Sequence, residues 1–191
     1  MNTSFLRIQE LSLNQIRKLY LERLKRDFPP DEIKPLSRIE RALARGEYVC
    51  YGAMDGEAIL AYAFFVVTGK RALFDYFAVA EELRDRGIGS RFIRELMDGL
   101  LSQMDCVLLE VDDPDHGQGQ EEVALRNRRL AFYLRNGLTD TGVRTKVYGV
   151  DFRILSLPVG RMPSVDETRT VYVELYHTIL PPKLYEKWVI V

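Results

Sequence analysis

A chain of 191 residues with 47% hydrophobic and 29% charged content is expected to fold as a soluble globular protein around a sizeable core, which excludes a chain dominated by disorder. Its 27 lysines and arginines nearly cancel 28 acids, for a formal net charge of -1, so bulk electrostatics give no reason to expect nucleic acid or an anionic membrane as partner. No apolar run approaches the roughly 18 to 20 residues that span a bilayer, and Met1 to Glu10 lacks the basic and apolar segments of a secretory signal, so a cytoplasmic protein is expected.

No repeat, low-complexity tract or long Gly/Ser/Pro linker divides the chain, and a single domain over residues 1–191 is the simplest expectation. Phe5 to Glu10 alternates weakly and suggests a first strand. Ser12 then caps a helix that carries Leu13, Ile16, Leu19, Tyr20 and Leu24 at helical spacing and stops at Pro29-Pro30. A second short helix is expected from Pro35, with Leu36, Ile39 and Leu43 on one side and Gly46 as terminator. The period then changes. Tyr48 to Met54 and Ala58 to Thr68 are rich in aromatic and β-branched residues, and Asp55-Gly56 between them reads as a two-residue hairpin turn. Gly69-Lys70 offers another tight turn into a strand from Leu73 to Val79.

From Gly87 to Met104 apolar residues recur at helical spacing, with Arg91, Arg94, Glu95 and Asp98 on the other side. Cys106 to Val111 reads as a short buried strand, Asp112 to Gln120 as a polar loop, and Glu121 to Asn136 as a helix closed by Gly137. Thr145 to Leu155 and Val171 to His177 read as closing strands. Both cysteines, Cys50 and Cys106, fall in strand segments, where a buried structural thiol is expected rather than a disulfide framework. This order predicts a mixed α/β or α+β sandwich with a strand, helix, strand unit at its centre.

The turn between the strand ending at Val79 and the next helix reads Arg84-Asp85-Arg86-Gly87-Ile88-Gly89-Ser90. Glycines there let an anion approach several backbone N–H groups at the positive end of a helix, so a diphosphate site is the natural reading. The glycine spacing does not fit the three-glycine dinucleotide fingerprint, and the Gly-Lys-Ser/Thr ending of a triphosphate loop is missing. At this point the sequence resembles the GNAT superfamily of acetyl-coenzyme A-dependent N-acetyltransferases, whose signature Arg/Gln-x-x-Gly-x-Gly/Ala is filled in register by Arg84, Gly87 and Gly89. The resemblance runs over roughly Tyr48 to Leu138 and includes Phe77-Ala78-Val79 and Ala131-Phe132-Tyr133-Leu134-Arg135-Asn136-Gly137-Leu138, which looks like the family's Ala-x-x-Tyr-x-x-x-Gly-Phe block.

The resemblance implies a GNAT-like fold, a mostly antiparallel central sheet with helices on both faces, and acetyl-CoA as co-substrate. It implies that the main chain of Phe77, Ala78 and Val79 pairs with the pantetheine arm as an added strand, and that Arg84, Asp85, Arg86, Gly87, Ile88, Gly89 and Ser90 hold the pyrophosphate. The family often has an asparagine seven residues before its tyrosine; this chain has Arg126 there, and Asn127, one place late, is the coenzyme-binding candidate. Arg126, Arg128 and Arg129 either reach the coenzyme's phosphates or form solvated pairs with Glu121 and Glu122.

Making an amide from a thioester needs a base for the amine, an acid for the departing thiolate and an N–H to polarise the carbonyl. Tyr133 stands where the family often has the tyrosine that protonates the thiolate, and its phenol holds its proton at neutral pH. Glu110 ends the apolar run Val107-Leu108-Leu109 where related enzymes often place a base. Asp75 is the second carboxylate in an otherwise apolar strand, with its side chain expected on the same side as Leu73 and Phe77. His116 and His177 read as a loop and a strand residue, and the acids from Asp112 to Asp115 lack the spacing of a metal site.

The expected function is therefore transfer of an acetyl group from acetyl-CoA to a primary amine by direct attack in a ternary complex. The alternative is a domain of the same fold that keeps the coenzyme as a sensor or structural ligand without turnover. The acceptor carries no readable code, and the aromatic tail from Thr139 to Val191 is either core or the surface of a homodimer.

Overall fold

A computed structural model describes residues 7–30, 32–157, 159 and 161–191. The strands are β1 (Arg7–Glu10), β2 (Tyr48–Asp55), β3 (Ala58–Thr68), β4 (Arg71–Val79), β5 (Cys106–Asp112), β6 (Thr139–Val147), β7 (Val150–Ser156) and β8 (Val189–Ile190). They form one sheet in the order β1-β2-β3-β4-β5-β7-β6-β8. Only β4 and β5 run parallel; every other neighbouring pair is antiparallel. The helices are α1 (Leu13–Leu19), α2 (Leu36–Ala44), α3 (Ile88–Asp98), α4 (Gly119–Arg135), α5 (Val165–Ile179) and α6 (Pro182–Trp188).

Alternating side chains on the strands feed two cores. On one face Tyr48, Phe64, Leu73 and Leu108 pack with Ile16, Ile39, Val171 and Leu175, so α1, α2 and α5 cover that face. On the other, Phe65, Phe74, Val107 and Leu109 pack with Phe92, Ile93, Leu96 and Leu130 of α3 and α4. Both cysteines are free and buried, on β2 and β5. Among the described residues no helix is long and apolar enough to cross a membrane.

Several expected boundaries shift for identifiable reasons. Ser12 caps α1 through a box with Gln15, and the helix runs on through a π-helical stretch at Tyr20–Leu24 to a last turn at Lys25–Asp27. The first strand is seen from Arg7; Phe5 and Leu6 lie outside the described residues. In the β2–β3 hairpin Asp55 pairs with Ala58, so the turn residues are Gly56 and Glu57 rather than Asp55 and Gly56. The α3 helix stops at Asp98, short of Met104, because Gly99 leaves the helical region at φ -108 and ψ -94.

The larger corrections lie in the tail. The expected strand Thr145 to Leu155 is a hairpin, broken by Tyr148 and Gly149 at φ 48 and φ 87. Both central positions of that turn need positive φ, which a tyrosine does not advertise. The expected strand Val171 to His177 is the middle of α5. Its β-branched and aromatic residues favour a strand locally, but a capping box between Ser164 and Glu167 starts a helix whose buried Thr168, Val171, Tyr172, Leu175 and Tyr176 follow the helical period.

Candidate active site

The site begins with an extra residue in β4. Phe65 on β3 pairs with Phe74 and the adjacent Phe64 pairs with Tyr76, so Asp75 is a bulge. The bulge also corrects the expected parity. Asp75 lies on the side of Leu73, bonded to Tyr48, whereas Phe77 packs with the opposite core. Past it the parallel ladder ends: β4 pairs with β5 from Arg71–Cys106 to Phe74–Leu109 and no further, although β4 continues to Val79 and β5 to Asp112. The two strands part there, while Glu110, Val111 and Asp112 stay paired with β7. Asp75 and Glu110 are the first residues of their strands beyond the last pair, and so mark the mouth of the split.

Past Phe74 the main chain of β4 faces that split with no strand paired to it. The N–H of Ala80 donates to the carbonyl of Leu60 on β3 at 2.8 Å, so by alternation Phe77 and Val79 point the other way. At the open end the turn leads into α3. Asp85 has φ 60, and Gly87, the N-cap, has φ 79. The first helical bond runs from the Arg91 N–H to the Gly87 carbonyl at 3.0 Å, and among the described residues none of the backbone N–H groups from Asp85 to Ser90 has a hydrogen-bond acceptor. Six consecutive free amides at a helix start form a concentrated anion-seeking surface. Gly89 is needed for a different reason: a Cβ there would sit 3.2 Å from Phe132 and Val79 and 3.3 Å from Phe77, so its absence lets α3 approach β4 and α4. The Arg84 side chain points back at the strand, its Nε 3.4 Å from the Val79 carbonyl and its guanidinium 3.9 Å from Asp27.

Tyr133 comes to the same region on α4, half-buried among residues packed on the α3 side of the sheet. Its ring meets Phe132 edge-on at 5.2 Å, and Phe132 stacks on Phe77 at 6.0 Å, which ties α4 to β4. Burial pushes the phenol up to about 12. Among the described residues its hydroxyl has no hydrogen-bond partner.

The opposite side of the split is a network of charged and phenolic groups. The Tyr172 and Tyr176 hydroxyls from α5 both donate to Glu110 Oε1, the second at 2.7 Å. Burial raises the Glu110 carboxyl above the ordinary range, partly offset by those two hydrogen bonds, with Asp75 and Lys34 also acting on it. Oε2 of Glu110 has no hydrogen-bond partner among the described residues. Asp75, with a side chain 8% exposed, is fully engaged: Lys34 Nζ donates to its two oxygens at 2.7 and 2.9 Å, and the Tyr48 hydroxyl donates to Oδ2. Burial disfavours the Lys34 charge, yet the Asp75 partner outweighs it and raises the ammonium above its usual range.

The other sequence candidates have partners of their own. Arg126 pairs with Glu122 and donates to the Asp113 carbonyl at 2.9 Å, and Arg129 pairs with Asp112 at 2.8 Å, so these two serve α4 and its approach loop. Asn127 is exposed and donates to the Val123 carbonyl of its own helix at 2.9 Å. His116 is on the surface beside Asp113 at 3.7 Å, and the His177 ring lies tilted against Tyr185, their centroids 4.3 Å apart. Among the described residues no group of His, Cys, Asp and Glu is placed to hold a metal ion. Lys34, Tyr48, Tyr172 and Tyr176 are not among the site candidates of the sequence; Tyr48 reads there as the start of a strand and the other two tyrosines as part of the aromatic tail, and an i,i+4 tyrosine pair is visible only once that segment is read as a helix.

A sequence model of the acetyltransferase (GNAT) family matches residues 13–119, more than half of the chain. The chain belongs to that family. The matched span holds the split, the turn and both carboxylates, and ends before Asn127 and Tyr133. No curated protein sequence matches significantly. Among solved structures, a GNAT-family acetyltransferase from Bacteroides thetaiotaomicron superposes with a TM-score of 0.71 at 20% identity, covering 90% of this chain and 96% of that one. The ribosomal-protein-S18-alanine N-acetyltransferase of Escherichia coli gives 0.57 at 17% identity, over 83% of this GNAT chain and 97% of that one. An aminoglycoside 6'-N-acetyltransferase complexed with coenzyme A gives 0.57 at 17%, over 83% and 100%. At those identities the likeness is one of fold. By their names two of these proteins act on unlike acceptors, an alanine of ribosomal protein S18 and an aminoglycoside, so the GNAT fold leaves the acceptor open.

Proposed function

We propose that this GNAT protein transfers an acetyl group from acetyl-CoA to a primary amine within a ternary complex. The observation that carries the reading is the parting of β4 and β5 beside six unsatisfied turn amides. The split offers a strand edge at Phe77 to Val79 for an extended arm such as pantetheine, and the amides from Asp85 to Ser90 suit a pyrophosphate at the arm's far end. The bound co-substrate supplies a thioester carbon at the mouth of the split, where the amine forms a C–N bond as the C–S bond breaks.

The chain's own residues then take separate parts on the two faces of the sheet. Glu110 receives the amine proton on Oε2, the oxygen left open by the two tyrosines. Its raised pKa suits a base that must take that proton, since a more basic carboxylate is a stronger acceptor. Asp75 holds Lys34 and Tyr48 in place and lends its charge to the site. Tyr133 donates a hydrogen bond to the departing sulfur from the other face. A phenol at about 12 is a weaker acid than an ordinary thiol, ~8.5, so it steadies the thiolate more than it protonates it.

The test is direct. Acetyl-CoA should raise the melting temperature in a concentration-dependent way, and a panel of primary amines should include one that releases free coenzyme thiol. No thermal shift at millimolar acetyl-CoA overturns the coenzyme site; a shift without thiol release from any amine would favour a coenzyme-binding protein without turnover.

A further inference from the structure

A second opening lies on the acceptor-facing side of the sheet, between α2 and the C-terminal end of α5. It is a cavity of about 290 Å³ whose lining includes Lys34, Arg38, Arg41, Arg45 and His177, with Glu47 as the only carboxylate among its lining residues. Two of those cations are already matched: Lys34 by Asp75 at 2.7 Å and Arg45 by Glu47 at 3.4 Å. The side chains of Arg38 and Arg41 have neither an ion pair nor a hydrogen bond among the described residues. They sit three positions apart on α2, with Arg45 four further on, so all three guanidinium groups leave one face of the helix. Beside them the wall is apolar, formed by Ile39 and Leu180.

Two unmatched guanidinium groups lining a half-open cleft suit a planar or tetrahedral oxyanion. At about 290 Å³ the opening lies at the lower end of the roughly 300–1,000 Å³ of small-molecule sites, which suits a small organic anion. The cavity also touches the candidate active site, because Lys34 and Tyr48 line it and both hold Asp75 at the mouth of the split.

We propose that this cavity is an anion site in which Arg38 and Arg41 grip the carboxylate or phosphate group of a small molecule. The binding claim stands whether or not the acetyl-transfer reading holds. Where that reading does hold, the neighbouring Asp75 makes an amine acceptor that carries its own acidic group the fitting occupant, and a separate small anion is the other source of the same chemistry.

Calorimetry on the whole chain with succinate and with inorganic phosphate, at constant ionic strength, tests the site without any turnover. Saturable binding of either anion is expected, weakened roughly tenfold or more by Arg38→Gln or Arg41→Gln and unaffected by Arg94→Gln on α3. Titration of the unaltered protein, followed by the arginine Nε–H resonances, gives the same answer should a variant fold poorly: two guanidinium signals should move with the anion and stop at saturation. No saturable binding, or equal affinity in the wild type and both α2 variants, overturns the site. Thiol release with β-alanine and with propylamine separates the two sources. If Arg41→Gln raises KM for β-alanine alone, the anionic group is the acceptor's own; if phosphate binds while both amines respond alike, the ligand is a separate anion. A finding that neither amine reacts would fail the acetyl-transfer reading for these amines and leave the calorimetric result as the measure of the anion site.

Discussion

The two sides of the split are built from different materials. On the side proposed for the coenzyme the groups on offer are main-chain amides and a strand edge within one short run, Phe77 to Ser90. On the side proposed for the acceptor they are side chains of Lys34, Tyr48, Asp75, Glu110, Tyr172 and Tyr176, which come from widely separated parts of the chain. A ligand that never changes can be held by backbone, and backbone geometry leaves a local signature in glycines. A ligand that differs from enzyme to enzyme is met by side chains, whose meeting depends on how distant segments pack. The sharpest way to break this contrast is Glu110→Gln, which keeps the shape and removes the proposed base. Turnover should fall by about 10²- to 10⁴-fold while the acetyl-CoA dissociation constant stays put. An equal loss of coenzyme affinity would mean that the two sides are one.

The reverse perturbation is Gly89→Asp. A side chain at that position starts 3.2 Å from Phe132 and Val79 and adds a negative charge at the helix start. Coenzyme affinity should drop by about tenfold to a hundredfold, as read by equilibrium binding on protein whose far-ultraviolet spectrum is unchanged. Unaltered affinity would remove the turn from the site.

How much was legible follows the same division. The turn was readable because Arg84, Gly87 and Gly89 and the elements around them are contiguous, and the helix-strand order up to Gly137 followed from period together with caps and turn residues. Asp75 and Glu110 stood out as carboxylates in apolar strands, but their partners did not. The bulge that leaves Tyr76 on the same side as Asp75 and turns Phe77 to the opposite core exists only in the pairing with β3. Tyr172 and Tyr176 were hidden by a local preference for strand in Val171 to His177, which tertiary packing on the sheet overrides. The box Ser164-x-x-Glu167 was the readable clue, and it would have revealed two tyrosines one turn apart.

A smaller effect is expected from Tyr133→Phe. Because its phenol, at about 12, steadies a leaving group that is already stable as a thiolate, losing the hydroxyl should lower kcat about tenfold, less than losing the base. Coenzyme binding should not change, and the loss should shrink with acetyl donors whose thiols are more acidic. A loss that matches Glu110→Gln would make proton delivery to sulfur the dominant barrier and reverse the assigned weights.

The finest test moves a pKa without touching reactant or coenzyme. Since Glu110 must be unprotonated to accept a proton, kcat/KM should rise with pH through an apparent pKa above the ordinary carboxylate range, the direction set by burial. The Tyr172 and Tyr176 hydroxyls donate to Oε1 and so favour the charged form, pulling that value down. Tyr176→Phe removes one donor and leaves the other, which should move the acid limb to higher pH by up to about one unit, the size of one hydrogen bond to a charged group. The plateau rate at high pH should stay within about twofold of wild type, because the carboxylate still forms there. A limb that stays in place, or one that survives in Glu110→Gln, would assign the titration to a different group and detach the α5 tyrosines from the chemistry.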